Sequence, residues 1–316
     1  MLTGGWYPPL QPAFPDLREN DSYAILDSMK HDTIFMNTLR RAAALALALL
    51  CLFALSGCRE RDPHAGMVQV HDGRSLSWVF PWKGAAVSDL DAADFYTPDA
   101  GNLVSYTGTA YTAQQGVDVS YFQGEIDWQA VADDGVEFAM IRAGYRGYTD
   151  GVINIDQNFT KNAQGALDAG LEIGLYFFSQ AISEDEAVEE ARWLLEAAKK
   201  FDVTLPLVFD WETIGEAAAR TDGVTGSQMT ACAQAFCSEI RAGGHEPGVY
   251  FNRWQGCYDY NLGKLTGAQL WLSADDVADD WYYAHSFWQY TYTGKVAGIE
   301  GDVDRNLRYL PADAAD

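Results

Sequence analysis

The chain has 316 residues, enough for one large domain or two small ones. An apolar content of 48% with 13% aromatic residues belongs to a packed protein and excludes a wholly disordered one. The net charge of −24, from 45 acidic against 21 basic residues, repels nucleic acid and anionic lipid, so no nucleic-acid partner is expected.

Residues 1–35 are Pro-rich and aperiodic, and they sit awkwardly before a targeting signal. Met36, or alternatively Met29, reads as the true start, which makes 1–35 an over-extended N-terminus. Met36-Asn37-Thr38-Leu39-Arg40-Arg41 is a basic n-region, and residues 42–55 (AAALALALLCLFAL) are an apolar run of signal-peptide length, short for a bilayer span. Leu55-Ser56-Gly57-Cys58 resembles the bacterial lipobox, whose cysteine is lipidated. Residues 36–57 are thus expected to be a lipoprotein signal peptide and Cys58 a membrane anchor, with plain secretion if the lipobox is not used. Residues 58–114 are read as the lipidated cysteine and a tether, with a small strand at 75–82. Of the other cysteines, Cys51 lies in the apolar run. Cys232, Cys237 and Cys257 fit no zinc spacing and read as buried thiols.

From Gly116 strands and helices alternate. Strands are expected at 116–120, 138–143, 173–178, 205–212 and 247–251, with shorter ones at 270–273, 287–290 and 301–304. Helices are expected at 128–134, 158–169, 183–201 and 225–242. Ser183 with Glu186 forms a capping box, and Gly170 stands where a helix C-cap prefers glycine. Near-continuous apolar strands imply a parallel sheet covered by helices, open or closed. The polar residues decide for a barrel. Asp118, Arg142, Ser179, Asp210, Glu212, Asn252, Gln289 and Asp304 fall at or just past the C-terminal ends of different strands, which a barrel gathers on one face.

The segment at 205–212 (LPLVFDWE) carries the chemistry. Alternation along a strand puts Val208, Asp210 and Glu212 on one side. The two acids are separated by about 6.5 Å of strand rise, the regime in which paired carboxylates cleave glycosidic bonds.

The chain resembles the glycoside hydrolase family 25 lysozymes (N-acetylmuramidases) from about 116 to 309. Gly116-Val117-Asp118-Val119-Ser120, Gln123-Gly124, Ile126-Asp127-Trp128 and Ile141-Arg142-Ala143-Gly144 carry the first part, followed by Asp156, Phe159 and Asn162. Gly174-Leu175-Tyr176-Phe177-Phe178-Ser179, Asp210-Trp211-Glu212, Gly248-Val249-Tyr250-Phe251-Asn252, Trp288-Gln289-Tyr290 and Val303-Asp304-Arg305-Asn306 come next in order. The resemblance implies a catalytic domain at 115–312 folded as a flattened TIM-like (β/α)5β3 barrel. It also implies cleavage of the β-1,4 bond between N-acetylmuramic acid and N-acetylglucosamine in peptidoglycan glycan strands, without cofactor or metal. A monomer is expected. By motif match Glu212 is the general acid/base, Asp210 the neighbouring carboxylate, and Asp118 and Asp304 complete the acidic cluster. Asp302 is the alternative to Asp304.

Crowding of these acids predicts that one carboxyl holds its proton near neutrality. Glu212 is expected to be that group, with Asp210 ionised as nucleophile or as orienter of the substrate's 2-acetamido group. The N-acetyl substrate favours substrate assistance. Tyr176, Tyr250, Trp288 and Tyr290 are read as sugar-stacking or packing residues. Arg142 is read as binding substrate or pairing with an acid, and Asn252 and Gln289 complete the expected binding set. One departure from the family pattern comes after Trp271-Leu272: Ser273-Ala274-Asp275-Asp276 stands where small, acidic and aromatic residues are common, so an aromatic flank of the cleft is missing. The alternatives are a non-catalytic peptidoglycan-binding envelope module and a hydrolase of another N-acetylated glycan such as chitin.

Overall fold

The computed structural model describes residues 19–56, 62–98, 103–215, 218–276 and 278–312, in two compact units, Met1–Ala65 and Gly66–Asp316. In the first unit helix α1 (Glu19–Ser56) contains Lys30–Cys51, a stretch with mean hydropathy 1.5 that is long and apolar enough to cross a membrane. Cys58 lies outside the described residues.

The second unit opens with two small antiparallel pairs, β1 (Val68–His71) with β2 (Leu76–Val79), and β3 (Phe95–Tyr96) with β4 (Ser105–Tyr106). They pack on side chains and backbone from the second half of the chain. Trp82 donates through Nε1 to Gly256 O at 2.8 Å, Tyr258 donates its hydroxyl to Asp72 at 2.8 Å, and Phe95 meets Trp288 edge-on at 5.4 Å.

Then come β5 (Tyr111–Val119), α2 (Trp128–Asp133), β6 (Phe138–Arg146), β7 (Ile153–Ile155), α3 (Phe159–Asp168), β8 (Glu172–Ser179) and α4 (Glu184–Ala198). After these come β9 (Leu207–Trp211), α5 (Gly226–Ala242), β10 (Pro247–Asn252), β11 (Gln269–Ser273), β12 (Phe287–Gly294) and β13 (Val303–Pro311). Strands β5, β6, β8, β9, β10, β11 and β12 run parallel in that spatial order. β13 closes the circle antiparallel to both β12 and β5. Four strand–helix units, a fifth whose helix is only the turn Gln255–Asp259, and three final strands make the flattened (β/α)5β3 barrel.

Local chemistry explains the elements. Ser183 Oγ accepts from Glu186 N and the Glu186 carboxylate accepts from Ile182 N, which caps α4; Ala187, Ala191, Leu194 and Ala198 then bury one face. Thr225 caps α5 in the same way through Gln228 N. Inside the barrel, Phe138, Met140, Leu205, Val208 and Phe287 form a small apolar core, with Tyr176 and Trp271 toward the C-terminal strand ends. Glycine makes room for it. A Cβ on Gly116 would lie 2.2 Å from Phe138 Cζ, and one on Gly174 would lie 2.5 Å from Met140 Sδ. The larger core lies between strands and helices and includes the free, buried Cys232, Cys237 and Cys257.

Several boundaries differ from the sequence expectation. β5 starts at Tyr111 and β13 runs to Pro311 because the two pair over eight residues to close the barrel, a long-range contact invisible to local pattern. The β7 hairpin strand, paired on β6, is additional.

Candidate active site

Asp118 and Asp304 are direct partners across β5 and β13, and Tyr250 and Asp210 are partners across β10 and β9. Glu212 follows β9 by one residue. All four carboxyls line one cleft of about 220 Å³ at the C-terminal strand ends, together with Ser120, Phe122, Gln123, Arg142, Tyr176, Phe178, Tyr250, Trp271 and Gln289. Of the eleven residues expected for catalysis and substrate binding, eight are thus brought together: Asp118, Asp210, Glu212, Asp304, Arg142, Tyr176, Tyr250 and Gln289.

Three are not. Trp288 and Tyr290 flank the inward-facing Gln289, so the period-two alternation turns them outward. Both are buried in the outer core, where Trp288 Nε1 donates to Ala274 O at 2.8 Å and Tyr290 donates its hydroxyl to Gln115 Oε1 at 3.0 Å. They pack the barrel wall and do not stack on sugar in this cleft. Asn252 accepts from Gln255 N at 3.0 Å and lines a neighbouring pocket, not the carboxylate cleft.

The acids differ in their surroundings. Asp118 Oδ2 accepts 2.8 Å hydrogen bonds from both Gln289 Nε2 and Asn306 Nδ2. Burial raises the Asp118 carboxyl above its ordinary range, and these donors oppose the rise. Burial also pushes Asp304 up to about 9, helped by the Asp118 charge and a hydrogen bond to Asp118, so Asp304 holds the proton of that pair at neutral pH. In the second pair burial raises both Asp210 and Glu212. Asp210 is raised further. It is the more buried, it feels the Glu212 and Asp118 charges, and its Oδ1 has no hydrogen-bond partner among the described residues. Burial and the neighbouring charges thus favour protonation of Asp210, hydrogen-bonded to Glu212. The sequence expectation places the proton on Glu212, which burial also raises; the greater burial of Asp210 favours Asp210.

Arg142 stands at the cleft floor. Its Nε donates to Asp156 Oδ2 at 2.8 Å, its guanidinium lies 5.0 Å from the Tyr121 ring and 5.3 Å from that of Phe122, and its Nη2 is buried without a hydrogen-bond partner among the described residues. Its charge lowers Asp210, the opposite of what burial does. Pairing with an acid and facing the cleft are thus both true of it.

The segment bearing Glu212 is held by two side-chain amides. Gln180 Nε2 donates to Glu212 O at 2.9 Å, and Gln255 Nε2 donates to Trp211 O at 2.8 Å. Trp211 ends β9 and Glu212 follows it, and the two glutamines supply donors to the carbonyls at this strand end.

Sequence reasoning missed Phe122, whose ring is 71% exposed at the cleft, as well as Phe178, Trp271 and Asn306. Trp271 Nε1 donates to Asn306 Oδ1 at 2.8 Å, which fixes the amide that serves Asp118. The inward phase of Asn306, two residues after Asp304, was the available signal. Among the described residues no group of three or more His, Cys, Asp or Glu is arranged to hold a metal ion.

The family model described as glycosyl hydrolases family 25 matches residues 117–299. Lysozyme M1 of Streptomyces globisporus is 30% identical over 202 residues, 61% of this chain and 66% of that protein. An uncharacterized protein of Escherichia coli O157:H7, YegX, is 31% identical over 270 residues, covering 82% of this chain and 89% of its own. Among solved structures, a bacterial lysozyme from Streptomyces coelicolor superposes with TM-score 0.52 at 27% identity, over 64% of this chain and 94% of that one.

Proposed function

The chain belongs to the glycosyl hydrolases of family 25, and from that premise we infer that its cleft hydrolyses the β-1,4 bond between N-acetylmuramic acid and N-acetylglucosamine in peptidoglycan. The observation that carries this reading is the convergence of four carboxyls with raised affinity for protons at one barrel mouth, beside an exposed aromatic. A binding module has little use for mutually repelling acids, whereas a glycosidase needs both a proton donor and an anion.

Chemistry follows from the two proton-sharing pairs. The glycosidic oxygen of the bound sugar approaches Glu212, which is less buried than its partner Asp210. The Asp210 proton moves along their shared hydrogen bond to Glu212, which passes it to that oxygen as the bond to the anomeric carbon breaks. Asp210 becomes ionised as positive charge develops at the anomeric carbon. It then accepts a hydrogen bond from the N–H of the substrate's 2-acetamido group, whose carbonyl oxygen attacks that carbon. Water opens the resulting ring, with Glu212 relaying the proton it releases. Asp118, supplied with two donors, stays the fixed anion of the site, and Asp304 stays neutral beside it.

The enzyme acts outside the cytoplasm. The finer reading is a lipid anchor at Cys58 that holds it to the bacterial membrane, supported by Arg40-Arg41, the apolar helix and the Leu55-Ser56-Gly57-Cys58 sequence.

Digestion of purified peptidoglycan, then borohydride reduction and mass spectrometry of the fragments, tests the bond assignment. Reduced N-acetylmuramic acid at every new end is expected. Reduced N-acetylglucosamine ends, or faster turnover of chitin oligomers, would contradict it. A covalent glycosyl adduct trapped on Asp210 would overturn the acetamido route.

A further inference from the structure

Beside the carboxylate cleft lies a second pocket of about 450 Å³. Its walls come from the β1–β2 turn (His71, Asp72, Gly73, Arg74), from the chain after β10 (Asn252, Arg253, Trp254), from the end of β11 and the loop beyond it, and from Tyr292 on β12. The turn precedes residue 117, where the family match begins, so this chain adds a wall that the matched domain does not contain.

The turn is built and held. Asp72 is 3% exposed and its carboxylate accepts from Arg74 N, Ser75 N, Ser77 Oγ and the Tyr258 hydroxyl at 2.8–2.9 Å. These donors hold its carboxyl below the ordinary range, against the opposing effect of burial. Gly73 adopts φ +93°, a conformation that favours glycine, and a Cβ there would lie at van der Waals contact distance from Arg253. The buried Arg253 reaches back to His71 O and pairs with Asp280. The pocket shares a wall with the cleft. Ser273 Oγ donates to Gln289 Oε1 at 2.8 Å, Gln289 Nε2 donates to Asp118, and the Tyr292 hydroxyl lies 3.1 Å from Ser273 Oγ. A group two hydrogen bonds from a catalytic carboxylate is within reach of a substituent on a sugar seated in the cleft.

The lining chemistry selects the substituent. A sugar ring wants an open aromatic face, and Trp254 offers little of one. The Arg74 guanidinium sits 3.8 Å from its ring centroid, and the Tyr258 ring lies 4.5 Å away. What faces the pocket instead is charge of both signs, Arg74 against Asp275 and Asp276, with the half-exposed Tyr292 between chain segments. We propose that this pocket binds the short peptide carried by the muramic acid of the substrate, a ligand with carboxylate and ammonium groups along one chain. The proposal rests on the peptidoglycan reading above. Arg74 takes a peptide carboxylate, Asp275 takes an ammonium group, and the β1–β2 turn makes the enzyme selective for peptide-bearing glycan.

The test uses the full chain on two substrates, peptidoglycan with its peptides and the same glycan after an amidase has removed them, read as kcat/KM from new reducing ends. The wild type should prefer the peptide-bearing glycan by on the order of tenfold, the ratio that one charge-assisted contact sustains. Arg74→Ala and Asp275→Ala, both on exposed side chains, should each bring that ratio toward one. Equal turnover of the two glycans by the wild type overturns the pocket assignment and leaves the muramidase reading standing. Preference for the stripped glycan overturns it in favour of a sugar subsite, and a preference retained in both variants overturns it too. Cleavage of neither glycan overturns the activity itself, and the pocket assignment with it.

Discussion

Replacing Asp304 with asparagine removes a carboxyl that titrates near 3.8 when unfolded and at about 9 in the folded cleft. Between those values the folded state binds a proton that the unfolded state does not. The stability this proton contributes is complete below about 3.8 and is lost as the pH rises toward 9. At about 1.4 kcal/mol per pH unit, the whole interval has a ceiling of roughly 7 kcal/mol. Hydration at the cleft mouth and relaxation of the Asp118 partner reduce this to on the order of 2–4 kcal/mol. Asp304→Asn keeps the shape and a donor but has no such proton to lose. Its stability relative to wild type should therefore grow with pH, while peptidoglycan turnover falls. Urea unfolding followed by tryptophan fluorescence at about pH 4.5 and about pH 8 measures the change directly. A stability difference that is the same at both pH values would refute the electrostatic account of the cluster.

Other consequences arise from particular contacts. Asn306→Leu deletes a 2.8 Å donor to Asp118, so that acid should hold its proton to higher pH. The acidic limb of the kcat/KM profile should move up by about one unit. Gln180→Leu frees the Glu212 carbonyl, and kcat should fall about tenfold with KM little changed, because the group acts by positioning. A KM effect alone would point to substrate contact instead. Phe122→Ala removes the exposed ring at the cleft and should raise KM several-fold, checked on soluble glycan fragments. Gly116→Ala forces a Cβ to within 2.2 Å of Phe138 and should lower thermal stability by about 1–3 kcal/mol, measured by calorimetry.

Local pattern carried the barrel because each apolar strand ends in a polar residue, and the same phase placed Asp118, Asp210 and Gln289 inside. That phase also argues against Trp288 and Tyr290 in the cleft: neighbours of an inward residue point outward, and the family likeness of the Trp-Gln-Tyr triplet obscured it. The Asp210 proton was harder to read, since it depends on depth, which sequence spacing does not encode. The buried Asp279–His285 pair, 2.6 Å apart and joined by the Tyr309 hydroxyl, carries no sequence signal, because its partners come from a loop and a closing strand. The β1–β2 turn was unreadable for a similar reason. Its local bonds to Asp72 shape the turn, but its place beside the cleft comes from contacts with Tyr258, Arg253 and Trp254, more than 170 residues away.

The role of Glu212 is the centre of the account, and Glu212→Gln on purified peptidoglycan tests it most directly. The variant keeps the volume and loses the transferable proton. The variant should fold, by circular dichroism, while its release of reducing ends falls by about 10²–10⁴. A folded Glu212→Gln enzyme that turns over peptidoglycan at the wild-type rate would contradict it.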